Sequence, residues 1–74
     1  MTKQEKIIAE YLSQNNINFE SLVKVDKNKY EFMVPTDDIE LRRHNYKKIS
    51  FKGNIIRFGC ATIKKFYCEF LKEK

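Results

Sequence analysis

The sequence has no tryptophan, one proline, one histidine, two glycines and two cysteines in 74 residues. Each scarcity removes a class of protein. Gly53 and Gly59 stand in unrelated contexts, so there is no glycine-rich phosphate loop. Two cysteines are too few for the stapled framework of a small secreted domain. Cys60, Cys68 and the single His44 lack the spacing of a zinc set, and no metal is expected. No apolar run approaches the roughly 20 residues needed to cross a bilayer. The start, Met1-Thr2-Lys3-Gln4-Glu5-Lys6, is charged at once and has no leader-like apolar region. The expectation is a cytoplasmic chain that does not engage a membrane. Ser13, Ser21 and Ser50 lie outside any G-x-S-x-G pattern. Asp37, Asp38 and Glu40 read as solvated acids at a helix start or turn. Neither a catalytic set nor a cofactor is expected.

What is present suffices for one folded domain over 1–74. Hydrophobic residues make up 42% and aromatics 14%, which argues against disorder. A chain this short hides only roughly 60% of its unfolded surface, so the core must be thin.

Thr2 followed by Glu5 forms a capping-box pattern. Ile7, Ile8, Tyr11 and Leu12 then recur at helical spacing until Asn15-Asn16, which predicts an amphipathic helix over 2–15. Alternation then predicts a hairpin, with strands around Val23–Val25 and Tyr30–Val34 joined at Asp26-Lys27-Asn28-Lys29. A regular register sets Val25 opposite Tyr30 and Val23 opposite Phe32 on the core face. Leu22, Lys24, Glu31 and Met33 then face outward. After Pro35, residues 36–46 suit a short helix capped by Thr36 or an edge strand equally well. A second hairpin runs from Lys48 to Phe58 with a Gly53-Asn54 turn. This turn sets Phe51 opposite Ile56 and Ile49 opposite Phe58, and points Lys48, Ser50, Lys52, Ile55 and Arg57 the other way.

Cys60, Ile63, Phe66, Tyr67, Phe70 and Leu71 fall at three- and four-residue spacing, which predicts a second amphipathic helix over 60–73. On such a helix the two thiols would lie about 12 Å apart along the axis, too far to share one ion or form a disulfide. The expected fold is therefore α+β. Two hairpins form a four-stranded antiparallel sheet, and the N- and C-terminal helices cover one face in a two-layer sandwich.

The net charge of +5 is unevenly placed. From Leu41 to Lys65 there are eight basic residues and no acid, whereas the first forty residues carry more acids than bases. A one-signed segment of this kind is the footprint of a phosphate-binding surface. Arg42, Arg43, Lys47, Lys48, Lys52 and Arg57 are the expected phosphate contacts, with Ser50 placed to reach a phosphate or base edge. Duplex is favoured over single strands, because Tyr30, Phe32, Phe51 and Phe58 all point to the core and leave no stacking platform.

Two other readings come from the same residues. Leu22, Met33 and Ile55, outward on the open face, suit a host-protein partner or a second copy of the chain. Small stand-alone chains of phages and mobile elements often act by binding one host protein. Arg42, Arg43, His44, Tyr46 and Arg57 suit a small metal-independent RNase of toxin type, by analogy of size and residue type alone.

Overall fold

A computed structural model describes residues 2–37, 39–43 and 47–71. The first element is helix α1, Lys3–Gln14, and it begins as its sequence predicts. The Thr2 hydroxyl accepts a hydrogen bond from the Glu5 backbone at 3.2 Å, and the Glu5 carboxylate accepts one from the Thr2 backbone at 3.3 Å. Two otherwise orphaned N–H groups are satisfied reciprocally. The Thr2 hydroxyl also donates to the Glu5 carboxylate at 2.9 Å, and this bond, with the one from the Thr2 backbone, holds the Glu5 carboxyl below its ordinary range. Ile7, Ile8, Tyr11 and Leu12 form the buried stripe, and the left-handed Asn16, at φ 59°, ends the element.

Five strands follow, with one short helix among them: β1 Glu20–Asp26, β2 Lys29–Met33, α2 Ile39–Arg43, β3 Lys48–Phe51, β4 Asn54–Cys60 and β5 Lys65–Leu71. They form a single antiparallel sheet in the order β1-β2-β5-β4-β3. The α+β class is as expected, but the sheet has five strands instead of four. Residues 36–46, ambiguous in sequence, contain the five-residue helix α2. No helix among the described residues is long and apolar enough to cross a membrane.

The extra strand is the main correction. Residues 65–71 form the central strand of the sheet, where a helix over 60–73 is expected. The stretch satisfies both periods. Phe66, Cys68 and Phe70 alternate with Lys65, Tyr67, Glu69 and Leu71, and its aromatic content suits a strand. Tertiary pairing decides between them. As a strand, Phe66 lies opposite Phe32 and stacks on it, with ring centroids 5.9 Å apart. Burial of Phe66 and Cys68 is complete. The β4–β5 turn spans 61–64 and is closed by the Ala61 N–H donating to the Lys65 carbonyl and the Lys65 N–H donating to the Thr62 hydroxyl.

The first hairpin has the expected turn and β2 keeps its expected faces, but β1 presents the opposite one. Asp26 pairs with Lys29 around Lys27-Asn28, yet Lys24 pairs with Tyr30 and Val23 with Glu31. An irregularity between Lys24 and Asp26 slips the strand by one residue, and a one-residue slip exchanges the two faces. Val23 and Val25 are therefore 52% and 46% exposed, while Leu22 packs against the core. A second irregularity, between Glu20 and Val23, coincides with the left-handed Ser21 at φ 49°.

The second hairpin shows the opposite behaviour. Its turn is at Lys52-Gly53, with φ of 51° and 77°, one position before the expected Gly53-Asn54. Moving a two-residue loop by one position slides the pairing by two. Phe51 now faces Asn54 and Ile49 faces Ile56. Because the side-chain period is also two, Ile49, Phe51, Ile56 and Phe58 keep the core face.

The core lies between the sheet and the helices on one face. Tyr11 of α1 stacks on Phe58 and meets Phe51 edge-on, both at 5.3 Å. Leu41 of α2 is fully buried in the same cluster. Gln4 accepts a 2.7 Å hydrogen bond from the Tyr30 hydroxyl, tying α1 to β2. Among the described residues no helix covers the other, open face of the sheet.

Candidate functional surfaces

The expected basic face of the β3–β4 hairpin is divided. Lys52 lies in the left-handed turn, where strict alternation ends, and its ammonium is 2.5 Å from the Glu10 carboxylate of α1. It points to the helix side of the sheet. Arg57 does face the open side, but its guanidinium is 2.9 Å from the carboxylate of Glu69, its cross-strand partner. Lys48 and Ser50 remain exposed on β3. The three cations Lys48, Lys52 and Arg57 thus do not form one free phosphate-facing row. The β5 strand, invisible as such in the sequence, supplies the neutralising Glu69.

The other expected cations lie at the end of α2 and the start of β3. Arg42 and Arg43 are exposed at the end of α2, and Lys47 and Lys48 are exposed at the start of β3. Arg42 pairs with Asp37 at 3.2 Å, and its side chain remains about half exposed. Among the described residues no carboxylate lies within 4.0 Å of Lys47, Lys48 or Lys64. Arg42, Arg43, Ile39 and Cys60 line an open cleft of about 450 Å³ between α2 and the end of β4.

The open sheet face is mostly polar at its centre. Arg57 pairs with Glu69 there, Lys65 lies 3.5 Å from Glu31, and the Lys29 ammonium sits 4.2 Å above the Tyr67 ring. Tyr67 itself lies across Gly59, its cross-strand partner. Apolar exposure gathers at one edge. Val23, Val25 and Met33 are exposed on β1 and β2, beside a depression of about 200 Å³ lined by Ser21, Val23, Glu31, Phe32, Met33 and Lys65. Of the residues expected to form an outward apolar patch, Met33 is exposed, Ile55 is half-buried and Leu22 is turned inward. Val23 and Val25 were missed. Their outward position depends on the irregularity of β1, which has no signature in the sequence.

Chemistry-bearing groups are few. The two thiols lie on the neighbouring strands β4 and β5, not on one helix, and both are free. Burial pushes the Cys68 thiol up to about 12, with Glu69 adding to the effect, so it is inert near neutral pH. The half-buried Cys60 thiol donates to the Thr62 carbonyl at 2.8 Å. Among the described residues no three His, Cys, Asp or Glu side chains are grouped to hold a metal ion. His44 and Tyr46 of the RNase reading lie outside the described residues. Compared with family models, curated proteins and solved structures, the chain matches none.

Proposed function

We propose that this protein is a small nucleic-acid-binding accessory protein. Its phosphate contacts come from Arg42, Arg43, Lys47 and Lys48, at the junction of α2 and β3, and not from the hairpin turn. One observation carries this reading. Four exposed cations occupy seven consecutive positions, inside a segment from Leu41 to Lys65 that holds no acid. Lys52 sits beside Glu10 on the helix side and Arg57 beside Glu69 on the sheet, so both are less available than Lys47 and Lys48. Duplex remains the favoured partner, since Tyr30, Phe32 and Phe58 are buried and the Tyr67 ring on the open face lies between Gly59 and the Lys29 ammonium.

The test is a duplex titration at two ionic strengths. Engagement of four phosphates gives a slope of log K against log salt of about −3 to −4. Arg43→Glu and Lys48→Glu each weaken binding and flatten that slope, whereas Lys52→Glu leaves both unchanged. Binding insensitive to salt, or equally sensitive to all three variants, rules the reading out.

A second reading is favoured by the edge formed by β1 and β2. Val23 and Met33 line a depression of side-chain size, with the exposed Val25 further along β1, the form of a pocket that receives one apolar anchor of a protein partner. In that case a partner captured in moderate salt is lost on Val23→Lys or Met33→Lys and kept on Lys48→Glu.

A further inference from the structure

The β1–β2 edge of the sheet carries charge of both signs, arranged about its exposed apolar side chains. Glu20 of β1 lies opposite Met33 of β2, and Met33 lies opposite Lys65 of β5. Cross-strand partners share a face, so this row runs acid, methionine, lysine across roughly 10 Å of the open side. The row continues into the β4–β5 turn, because the Val34 N–H donates to the Lys64 carbonyl at 2.9 Å. That bond fastens the turn to the strand end beside Met33. Ile63, in the same turn, is 59% exposed, more than Val23 or Met33. Glu20 and Lys64 are both exposed, and among the described residues neither has an oppositely charged group within 4.0 Å.

A surface of this kind is complementary to its own rotated copy. In an isologous contact the centre of the patch meets itself, and each end meets the opposite end of the twin. Here the centre is Met33, one end is Glu20, and the other is Ile63 with Lys64. The depression of about 200 Å³ beside Met33 supplies the hole for an apolar side chain from across the axis.

We propose that this edge is the interface of a homodimer. Met33 packs on its twin, Ile63 of one copy covers the Ser21–Val23 side of the other's depression, and Lys64 pairs with Glu20 across the axis. This interface rests on the second reading above for its surface, and its occupant is a second copy of this chain. Charge selects that occupant. A partner of one sign satisfies only one end of the patch and is repelled by the other, whereas a twin satisfies both. The irregularities of β1 at Glu20–Val23 and Lys24–Asp26 blunt it against strand-by-strand extension, so the copies meet by their faces. Lys47 and Lys48 stay clear of the contact, because β3 is the opposite edge of the sheet.

Sedimentation equilibrium of the full chain, without nucleic acid, tests the proposal. The natural sequence dimerises at concentrations below about 1 mM. Met33→Lys sets two cations face to face at the axis and abolishes the dimer. Glu20→Lys or Lys64→Glu each weakens it at least about tenfold, since both symmetry-related contacts become repulsive. An equimolar mixture of those two variants recovers a heterodimer of natural affinity, because every lysine then meets a glutamate again. All three substitutions are at exposed positions, and an unchanged denaturation midpoint shows that each variant is folded.

Recovery in the mixture supports the interface, since no contact within one chain can produce it. A chain that stays monomeric up to about 1 mM overturns the second copy and leaves partner capture to judge the edge as a protein-binding surface. A dimer indifferent to Met33→Lys, or a mixture no tighter than its parts, overturns the proposal as well. None of these results involves nucleic acid, so the salt titration is decided separately.

Discussion

Tyr67 lies flat across Gly59 on the open face of the sheet, so close that a methyl group at position 59 would sit 2.1 Å from the ring. The two residues face each other on β4 and β5. The ring covers backbone that glycine leaves bare, and Lys29 in turn sits over the ring. In Gly59→Ala the ring must swing out, which sacrifices its packing and the cation–π contact. The expected loss is about 1 kcal/mol, read as a lower denaturation midpoint. In a Tyr67→Ser background the same change is neutral or stabilising by about 0.5 kcal/mol, because alanine suits a strand better than glycine. Equal cost in both backgrounds would exclude the ring as the cause.

The face reversal of β1 is directly measurable. Val23→Lys and Val25→Lys change stability by no more than about 0.5 kcal/mol, since both side chains already meet water. Leu22→Lys costs about 2 kcal/mol, because it strips a side chain packed on the core. The regular register reverses this ranking, so urea midpoints of the three variants decide between them.

Cys68 makes stability depend on alkaline pH. Its thiol is raised from an ordinary value near 9 to about 12 in the folded chain. An acid whose folded value is raised keeps its proton while the unfolded chain loses it. Stability is therefore unaffected below about 9 and falls at about 1.4 kcal/mol per pH unit from there toward 12. Cys68→Ala lowers stability overall through the lost packing and removes that slope. Unfolding curves at pH 7, 9 and 10, with Cys60→Ser as the control, measure it. In the native protein a thiol reagent titrates Cys60 alone, and in denaturant it titrates both.

Lys52 and Glu10 join the β3–β4 turn to α1. Both side chains are substantially exposed, so the pair contributes no more than about 1 kcal/mol. Lys52→Glu costs that much or slightly more through repulsion, and Glu10→Lys in the same chain recovers part of it. A double-mutant cycle on thermal unfolding reports the coupling. A coupling of zero would mean that the contact is not populated in solution.

The strongest sequence signals were local ones. Thr2 and Glu5 announce α1 through bonds made three residues apart, and both bonds form. The positions of both hairpins were legible because polar or glycine-containing turns interrupt alternating runs. Their registers were legible only in part. At Lys52-Gly53 the slide of two residues left the faces intact, whereas the slip of one near Val25 exchanged them. The candidate site fared likewise. The acid-free run containing Arg42, Arg43, Lys47 and Lys48 is visible in the chain, and all four are exposed. The neutralisation of Lys52 by Glu10 and of Arg57 by Glu69 is not visible, since each partner is distant in sequence or belongs to a strand read as a helix.

By itself the sequence determined the α+β class, the first helix with its cap, the location of the turns and the segregation of positive charge. These depend on contacts within a few residues, or on composition alone. Only the tertiary structure decided that residues 65–71 form the central strand, that Val23 and Val25 face water, and which cations are left to meet a ligand. A strand exists through the neighbours on either side of it, and a side chain's charge counts only after its partners are known. Both are set by segments that meet only when the chain has folded.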